Sequence, residues 1–431
     1  MVLYVNGTPD WGTYDEFIVK IYGGCNFKCP DCYVFEKKDT SYLELPMVMS
    51  IATAKRVAER ISDHVLELML PEVRMVLHGG EPLMAGMALI GVLVGETRRL
   101  IEKKTGGRSR LLVAIQTNGW LLNNQRVLDQ LHELGVLVGV SFDGDEQTHN
   151  SVRRTLPTLT HLEGLPTFEG VCRGIERMRR SYSDMFSGVL CVINVASDPI
   201  SVHNALVALK PPSIDYIWPL ATWDSPPPNP NGEATAYAKW LIRLWRHHLS
   251  LASDEQLPRI RYFDMLMRQL HTGWNPMELL GLPARGALVI DTAGNYCGSD
   301  ALSIVGNGMM GLEWSDTNLD YKEARLRPGT RMTVHNCPIH DAAIQNMEMN
   351  RLWRVRGLND DGPVLCPTCT ACPVRMDCGG GFWVHRWKTG SGFWNPSVYC
   401  EDLKVLLAYA EELYRQVRAY GKQHDQARWA R

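Results

Sequence analysis

Gly23-Gly24-Cys25-Asn26-Phe27-Lys28-Cys29-Pro30-Asp31-Cys32-Tyr33 decides how the rest of the chain is read. Its three cysteines are separated by three and then by two residues. In a loop that also carries Gly23, Gly24 and Pro30, three thiolates this close can reach one inorganic centre together. A cubane [4Fe–4S] cluster usually takes four cysteines, so three leave one iron open to a non-protein ligand. The plainer alternatives are a zinc clip and buried free thiols, and the spacing alone leaves them open.

Bulk composition narrows the field. With 431 residues the chain has room for two or three domains, and 45% apolar residues supply a large core. The formal net charge is −2, with no basic tract, which gives no support to a nucleic-acid partner. Met1 to Gly7 lack the basic n-region of a signal peptide, and no apolar run is long enough to span a bilayer, so no membrane is expected. Twelve cysteines in such a chain argue for metal or redox use over structural disulfides, and for a cytoplasmic location.

From about residue 15 the pattern alternates strand and helix. Strands are predicted at 17–21, 75–77, 111–115, 137–141, 189–195 and 214–218. Helices are predicted from the N-cap Ser50 onward, with Ile51, Ala54, Val57 and Ile61 at helical spacing. Further helices fall near 88–103, 123–134, 169–180 and 201–209. Six strands joined by helices imply a parallel sheet, either a barrel or an open doubly wound sheet. Glycines and polar residues follow the strand ends at Gly23-Gly24, Gly79-Gly80, Asn118-Gly119 and Asp143-Gly144, where α/β proteins build their sites. Ser225-Pro226-Pro227-Pro228-Asn229-Pro230 marks a boundary. Two helices are expected at 235–249 and 261–271. A glycine- and cysteine-rich stretch runs from 287 to 400, and a last helix covers 401–420 with a frayed tail.

The chemistry-bearing motifs sit at those strand ends. His78-Gly79-Gly80-Glu81-Pro82-Leu83 follows the second strand, where paired glycines allow close backbone approach. Gln116-Thr117-Asn118-Gly119 ends the third and Ser141-Phe142-Asp143-Gly144 the fourth, with Arg153, or Arg154 beside it, just beyond. Seven of the twelve cysteines lie in the last third: Cys297, Cys337, Cys366, Cys369, Cys372, Cys378 and Cys400. Cys172 and Cys191 read as small buried hydrophobes.

Together these motifs resemble the radical S-adenosylmethionine (SAM) superfamily. The resemblance implies a partial (β/α)6 barrel in an α/β chain, with a C-terminal cysteine-rich SPASM-type auxiliary-cluster domain. It divides the chain into a core at 1–224, a helical connector at 225–285, an iron–sulfur domain at 286–405, and a helix and tail at 406–431. Cys25, Cys29 and Cys32 would hold the SAM-binding [4Fe–4S] cluster. Tyr33, Gly79, Gly80, Glu81, Gln116, Asn118, Ser141 and Arg153 would contact the cofactor. Cys369, Cys372, Cys378 and Cys400 would hold an auxiliary [4Fe–4S] cluster. Cys297, Cys337 and Cys366 would hold a second one or stay structural thiols. The pattern departs from the family at Phe382, where a cysteine is expected, and in the two-residue gap between Gly294 and Cys297.

Cys372 to Arg386, Gly392 to Leu403 and Ile214 to Pro227 resemble the cyclophane-forming radical SAM/SPASM peptide maturases more narrowly. Leu220 stands where many relatives carry histidine. This resemblance implies a ribosomally made precursor peptide as substrate and an external electron donor of flavodoxin or ferredoxin type. It also implies a bond from an aromatic ring carbon to the Cβ of a residue two positions away. The ring proton needs a base, and Asp377, His385 and Asp402 lie near the auxiliary cysteines. Fewer than fifteen residues precede the core, too few for a leader-binding domain, so leader recognition would fall to the connector, the last domain or a separate protein. The competing outcomes are thioether formation, epimerisation and formylglycine formation. A zinc-stabilised binding module without catalysis is the reading from another class.

Overall fold

The computed structural model describes residues 4–5, 8–9, 14–158, 160–161, 164–251, 257–273, 280, 287–312, 331–342, 358–359, 362–363 and 365–429. Six strands follow one another in both sequence and space: β1 Glu16–Tyr22, β2 Glu72–Gly79, β3 Arg110–Thr117, β4 Val136–Ser141, β5 Phe186–Val192 and β6 Ser213–Ile217. All five neighbouring pairs are parallel. Right-handed crossovers between parallel strands in unbroken order put every helix on one face, so the sheet curls as a partial barrel. Among the two architectures open on sequence, the unexchanged strand order selects the barrel.

The strands alternate accordingly. On β2, Val73, Met75 and Leu77 are buried toward the helices, while Arg74, Val76 and His78 take the opposite, concave face. Register sets Lys20 opposite His78 and Gln116 opposite Gly139, so these residues share that concave side near the strand ends. The exposure of Leu137 and Val192, 40% and 38%, belongs to the same open face. Helices α1 Ile51–Glu67, α2 Met87–Thr105, α3 Gln125–Glu133, α4 Glu146–Val152, α5 Phe168–Ser181 and α6 Pro199–Ala208 cover the convex side. The predicted cap at Ser50 forms: its Oγ accepts the Thr53 N–H at 3.0 Å.

The sheet does not stop at the sixth strand. β7 Arg259–Ile260 adds in parallel to β6. At the other edge β8 Leu288–Ile290 adds in parallel to β1, and β9 Tyr296–Cys297 pairs antiparallel to β8. The nine strands run β7-β6-β5-β4-β3-β2-β1-β8-β9. Both barrel edges are thus covered by chain from beyond residue 225. β5 spans 186–192 where 189–195 was expected, three residues earlier, and just past its end Ile193 N–H still donates to the Ile217 carbonyl of β6 at 2.9 Å.

Helices α7 Ala236–Ser250 and α8 Arg261–Thr272 pack under the C-terminal helix. Trp245 stacks on Phe263 with ring centroids 4.0 Å apart, and Tyr409 meets Trp245 edge-on. Two one-turn helices, α9 Pro367–Thr370 and α10 Arg375–Cys378, precede the last, α11 Cys400–Trp429. Helix α11 runs nine residues past its expected end, since Gly421 alone does not break a proline-free stretch. Trp218, Trp240, Trp245, Trp383 and Trp387 are core residues, whereas Trp223 is 42% exposed. Among the described residues no helix is long and apolar enough to cross a membrane.

Candidate active site and cysteine clusters

The cysteine loop leaves β1 at Tyr22 and is clamped by the turn after β2. Gly80 N–H donates to Tyr22 O at 2.9 Å and Glu81 N–H to Gly24 O at 2.8 Å. Both glycines are forced by this clamp. A Cβ on Gly79, whose φ is +134°, would stand 2.1 Å from Tyr22 O, and one on Gly80 would stand 2.0 Å from Gly24 O. The close approach that the paired glycines permit is therefore to the chain's own cysteine loop.

Glu81 is fully buried, and its carboxylate is committed to the chain. It accepts from Leu83 N–H at 3.1 Å, Thr117 Oγ1 at 2.8 Å and Asn118 N–H at 2.7 Å. Burial pushes its pKa up to about 7 against those three donors and Arg153. Asn118 reaches back to the loop, donating to Asn26 Oδ1 at 2.7 Å and to Cys25 Sγ at 3.7 Å. Phe27 N–H also donates to Cys25 Sγ, at 3.4 Å. Gln116 Nε2 donates to Ser141 Oγ at 2.9 Å, which joins the ends of β3 and β4.

Arg153, and not its neighbour, faces the loop. Its Nε donates to Asp143 Oδ2 at 2.6 Å, and Asp143 in turn accepts Val192 N–H at 2.9 Å. Arg154 instead braces the carbonyls of Asn150 and Gly164. Burial pushes the Cys29 thiol up to about 12, opposed by the Arg153 guanidinium, and pushes Cys25 up to about 11. Coordination reverses that order, because a metal-bound thiol is deprotonated.

The donor set fits a three-thiolate cluster. Sulfur acceptors with N–H donors are the usual surroundings of iron–sulfur ligands. Asp31, between Cys29 and Cys32, is 68% exposed and pairs with Lys37 at 3.4 Å, so it is no fourth ligand. Among the described residues no three His, Cys, Asp or Glu side chains close on a single ion. Tyr33 is half-buried, its hydroxyl donating to Asp300 Oδ2 at 2.9 Å beside His78 Nε2 at 3.5 Å. Lys20 Nζ lies 3.6 Å from the same Asp300 oxygen. Sequence reading missed Lys20 and Asp300 and gave His78, which opens the quoted motif, no role of its own. A charge at an inward strand position was the available signal for Lys20 and His78, and none pointed to Asp300.

The C-terminal cysteines gather five thiols. Cys369 lies against Cys366 and in the field of Cys378, and burial, reinforced by Cys366, pushes it up to about 12. Cys378 feels Cys400, and Cys400 feels Cys372 and Cys366. Cys366, grouped on sequence with Cys297 and Cys337, thus stands with the other set. Trp394 covers Leu365, Cys366 and Cys369. Cys297 and Cys337 are buried thiols that face the backbone carbonyls of Asn295 and Thr333.

The narrowly matching segments, far apart in sequence, are sewn together here. Trp223 N–H donates to Trp387 O at 2.9 Å and its Nε1 to Pro396 O at 2.8 Å. Asp224 accepts Thr389 Oγ1 at 2.7 Å, and Tyr399 Oη donates to Pro219 O at 2.8 Å. The three candidate bases differ. Asp402 Oδ1 accepts Ala238 N–H at 2.9 Å and so caps α7, whose own cap residue Thr235 offers no side-chain bond. Asp377 is held by Gln269. His385 is buried, one ring nitrogen meets the Pro219 backbone, and Nε2 has no partner. Burial pushes the His385 imidazole down to about 3, so it is neutral.

Residues 19–198 match the sequence profile of the Radical SAM superfamily. The chain is similar to the serine-type anaerobic sulfatase-maturating enzyme of Bacteroides thetaiotaomicron, 30% identical over 156 residues, or 36% of this chain and 34% of that protein. It is 29% identical over 170 residues to the cysteine-type anaerobic sulfatase-maturating enzyme of Clostridium perfringens, 39% of this chain and 41% of that protein. The chain thus spans about a third to two fifths of the length of these curated relatives. Among solved structures, anSMEcpe with bound AdoMet superposes with a TM-score of 0.69 at 20% identity, covering 93% of this chain and 98% of that one. Streptococcus suis SuiB bound to precursor peptide SuiA superposes with a TM-score of 0.55 at 11% identity, covering 90% and 76%. Both likenesses extend the shared fold over the C-terminal cysteine-rich region. The segment at 19–198, which carries the cysteine loop, the clamping turn and Arg153, is the part that matches the Radical SAM superfamily profile.

Proposed function

We propose that the chain is a radical SAM maturase that joins an aromatic ring carbon to a Cβ within a ribosomally made precursor peptide. The observation that carries the radical SAM part is the loop of Cys25, Cys29 and Cys32, clamped by Gly79-Gly80 with no fourth side-chain ligand between them. With SAM bound, a cluster held by these thiolates supplies one-electron cleavage and a radical able to take hydrogen from an unactivated carbon.

The chain's own residues supply the rest. Glu81, tied to Thr117 and Asn118, fixes the clamp against the loop. Gln116, Ser141 and Arg153 would position SAM at the strand ends. The concave face, with Lys20 and His78, would receive the peptide. His385 is the candidate base, since its Nε2 is unpartnered while Asp402 and Asp377 are engaged. Cys369, Cys372, Cys378 and Cys400 would hold one auxiliary [4Fe–4S] cluster, with Cys366 beside it as a fifth thiol, and that cluster is a sensible acceptor for the electron released on rearomatisation. An external flavodoxin- or ferredoxin-type donor would supply the reducing electron.

The cyclophane outcome rests on the segments Cys372 to Arg386, Gly392 to Leu403 and Ile214 to Pro227, which meet in one hydrogen-bonded unit. A second reading, formylglycine formation, is favoured by the 29–30% identity to sulfatase-maturating enzymes. Anaerobic co-expression with short peptides that carry three-residue aromatic motifs, and with a sulfatase-type serine or cysteine peptide, separates the two. A crosslink predicts loss of two hydrogens, missing fragment ions inside a three-residue aromatic motif, and no aldehyde. A hydrazide-reactive aldehyde on a serine or cysteine would overturn it.

A further inference from the structure

Helix α7 carries Lys239, Arg243 and Arg246 and no carboxylate over its 15 residues. Spacings of four and three residues put the three cations on one stripe. That stripe walls a cavity of about 590 Å³ between α7, the 229–233 loop and the turn that leaves β5. The volume is in the range of built ligand sites. Trp240, 4% exposed, lines it as well, its Nε1 fixed on Ser197 O at 3.0 Å. The cations differ in what holds them. Lys239 Nζ meets Glu233 Oε1 at 2.8 Å, and Arg243 Nη2 meets Asp198 Oδ1 at 2.9 Å. These four side chains are between 44% and 61% exposed, and ion pairs in that setting hold loosely. Arg246 forms no ion pair among the described residues and lies over the Tyr409 ring, 5.1 Å from its centroid. Two acids thus stand against three cations, with one positive charge in excess. The place matters as much as the charge. Val195 and Ser197, which line the cavity, lie just beyond β5, whose last residue Val192 donates its N–H to Asp143. Asp143 is the carboxylate that holds Arg153. The cavity therefore stands at the same end of the barrel as the cysteine loop.

We propose that this cavity is a docking site for an acidic segment of the precursor peptide, held by Arg243 and Arg246 while the residues to be modified lie in the barrel. Carboxylates of that segment take Arg246 directly and exchange with Asp198 and Glu233 for Arg243 and Lys239, since a guanidinium fork matches a carboxylate. The apolar stems of the segment pack on Trp240. The assignment rests on the proposed peptide substrate and gives part of its recognition to the connector.

The test is fluorescence anisotropy with full-length protein and three labelled synthetic peptides. One carries an aromatic three-residue motif beside a run of glutamates, and the others replace the glutamates by glutamines or by lysines. The parent should bind the glutamate peptide about tenfold more tightly than the glutamine peptide, an advantage that shrinks as salt rises. Arg243→Glu with Arg246→Glu should erase that advantage and bind the lysine peptide better than the parent does, an exchange that misfolding cannot produce. Lys103→Glu, an exposed charge on α2, should leave all three affinities as they are. Equal affinities of the parent for glutamate and glutamine peptides overturn the site, as does a doubly reversed variant that binds like the parent. Should the double reversal not fold, Arg243→Gln with Arg246→Gln makes the comparison, and an undiminished glutamate advantage there overturns the site equally. Deoxyadenosine release by the parent is read on the same preparation. SAM cleavage without charge-dependent binding removes the docking site alone, and the absence of both removes the maturase reading with it.

Discussion

Gly80 shows how a single residue holds the candidate site together. Its missing Cβ lets the turn after β2 lie against Gly24 O, where a methyl group would stand 2.0 Å away. Gly80→Ala should therefore cost on the order of 3 kcal/mol or more and loosen the cysteine loop. Gly95→Ala is the control: it lies in α2 with nothing within 4 Å, so the change should be neutral or stabilising by up to about 1 kcal/mol. Urea midpoints and iron counts of the two proteins check both statements. The glycines and the cysteine spacing were legible in the sequence, because each depends on local chain geometry. The partner of Gly80 was not, since it lies on a different strand end. Likewise Arg153 and Arg154 are equivalent in sequence, and only the packing of Asp143 and Val192 around one of them separates the two.

At the level of elements, the join between α7 and α11 distinguishes structural from chemical roles. Asp402 caps α7 across the chain, replacing the side-chain bond that Thr235 does not make. Asp402→Ala should lower stability by about 1 kcal/mol while leaving peptide modification intact. Thermal denaturation and a product assay on the same preparation test this, and a stable but inactive protein would make Asp402 chemical after all. The strand order was readable from six apolar runs with intervening helices. The edge strands β7, β8 and β9 were not, because two- and three-residue strands carry no periodicity of their own and exist only where a barrel edge recruits them.

For the whole molecule, buried neutral histidines tie stability to pH. His149, His203 and His385 are each pushed down to about 3 by burial, with Arg153 adding to the effect on His149 and His248 and His247 to that on His203. An exposed imidazole titrates near 6.5. Between those values the unfolded chain binds more protons than the folded one, so stability rises with pH through that window. It is fully present above about pH 6.5 and falls on acidification, by at most about 1.4 kcal/mol per pH unit for each group. Urea midpoints at pH 7 and 5.5 should show that decline, and His203→Asn should flatten it. Glu81, pushed up to about 7, acts in the opposite direction over the same window, so the net decline should be smaller than three histidines alone would give, and a slope that His203→Asn leaves unchanged would contradict the buried neutral assignment. The meeting of Trp223, Asp224, Thr389 and Pro396 belongs to this scale as well. The sequence marked Trp223, Asp224 and Pro396 as unusual and left Thr389 unremarked, and only the assembled chain brings the connector and the cysteine-rich region into one unit.

The measurement that bears most directly on the central reading is the electron paramagnetic resonance spectrum of the reduced, reconstituted protein with and without SAM. If Cys25, Cys29 and Cys32 hold a cluster with one iron open, SAM changes the spectrum, and the change vanishes when all three are replaced by alanine. A spectrum indifferent to SAM, or a protein that takes up zinc in place of iron at this loop, would contradict it.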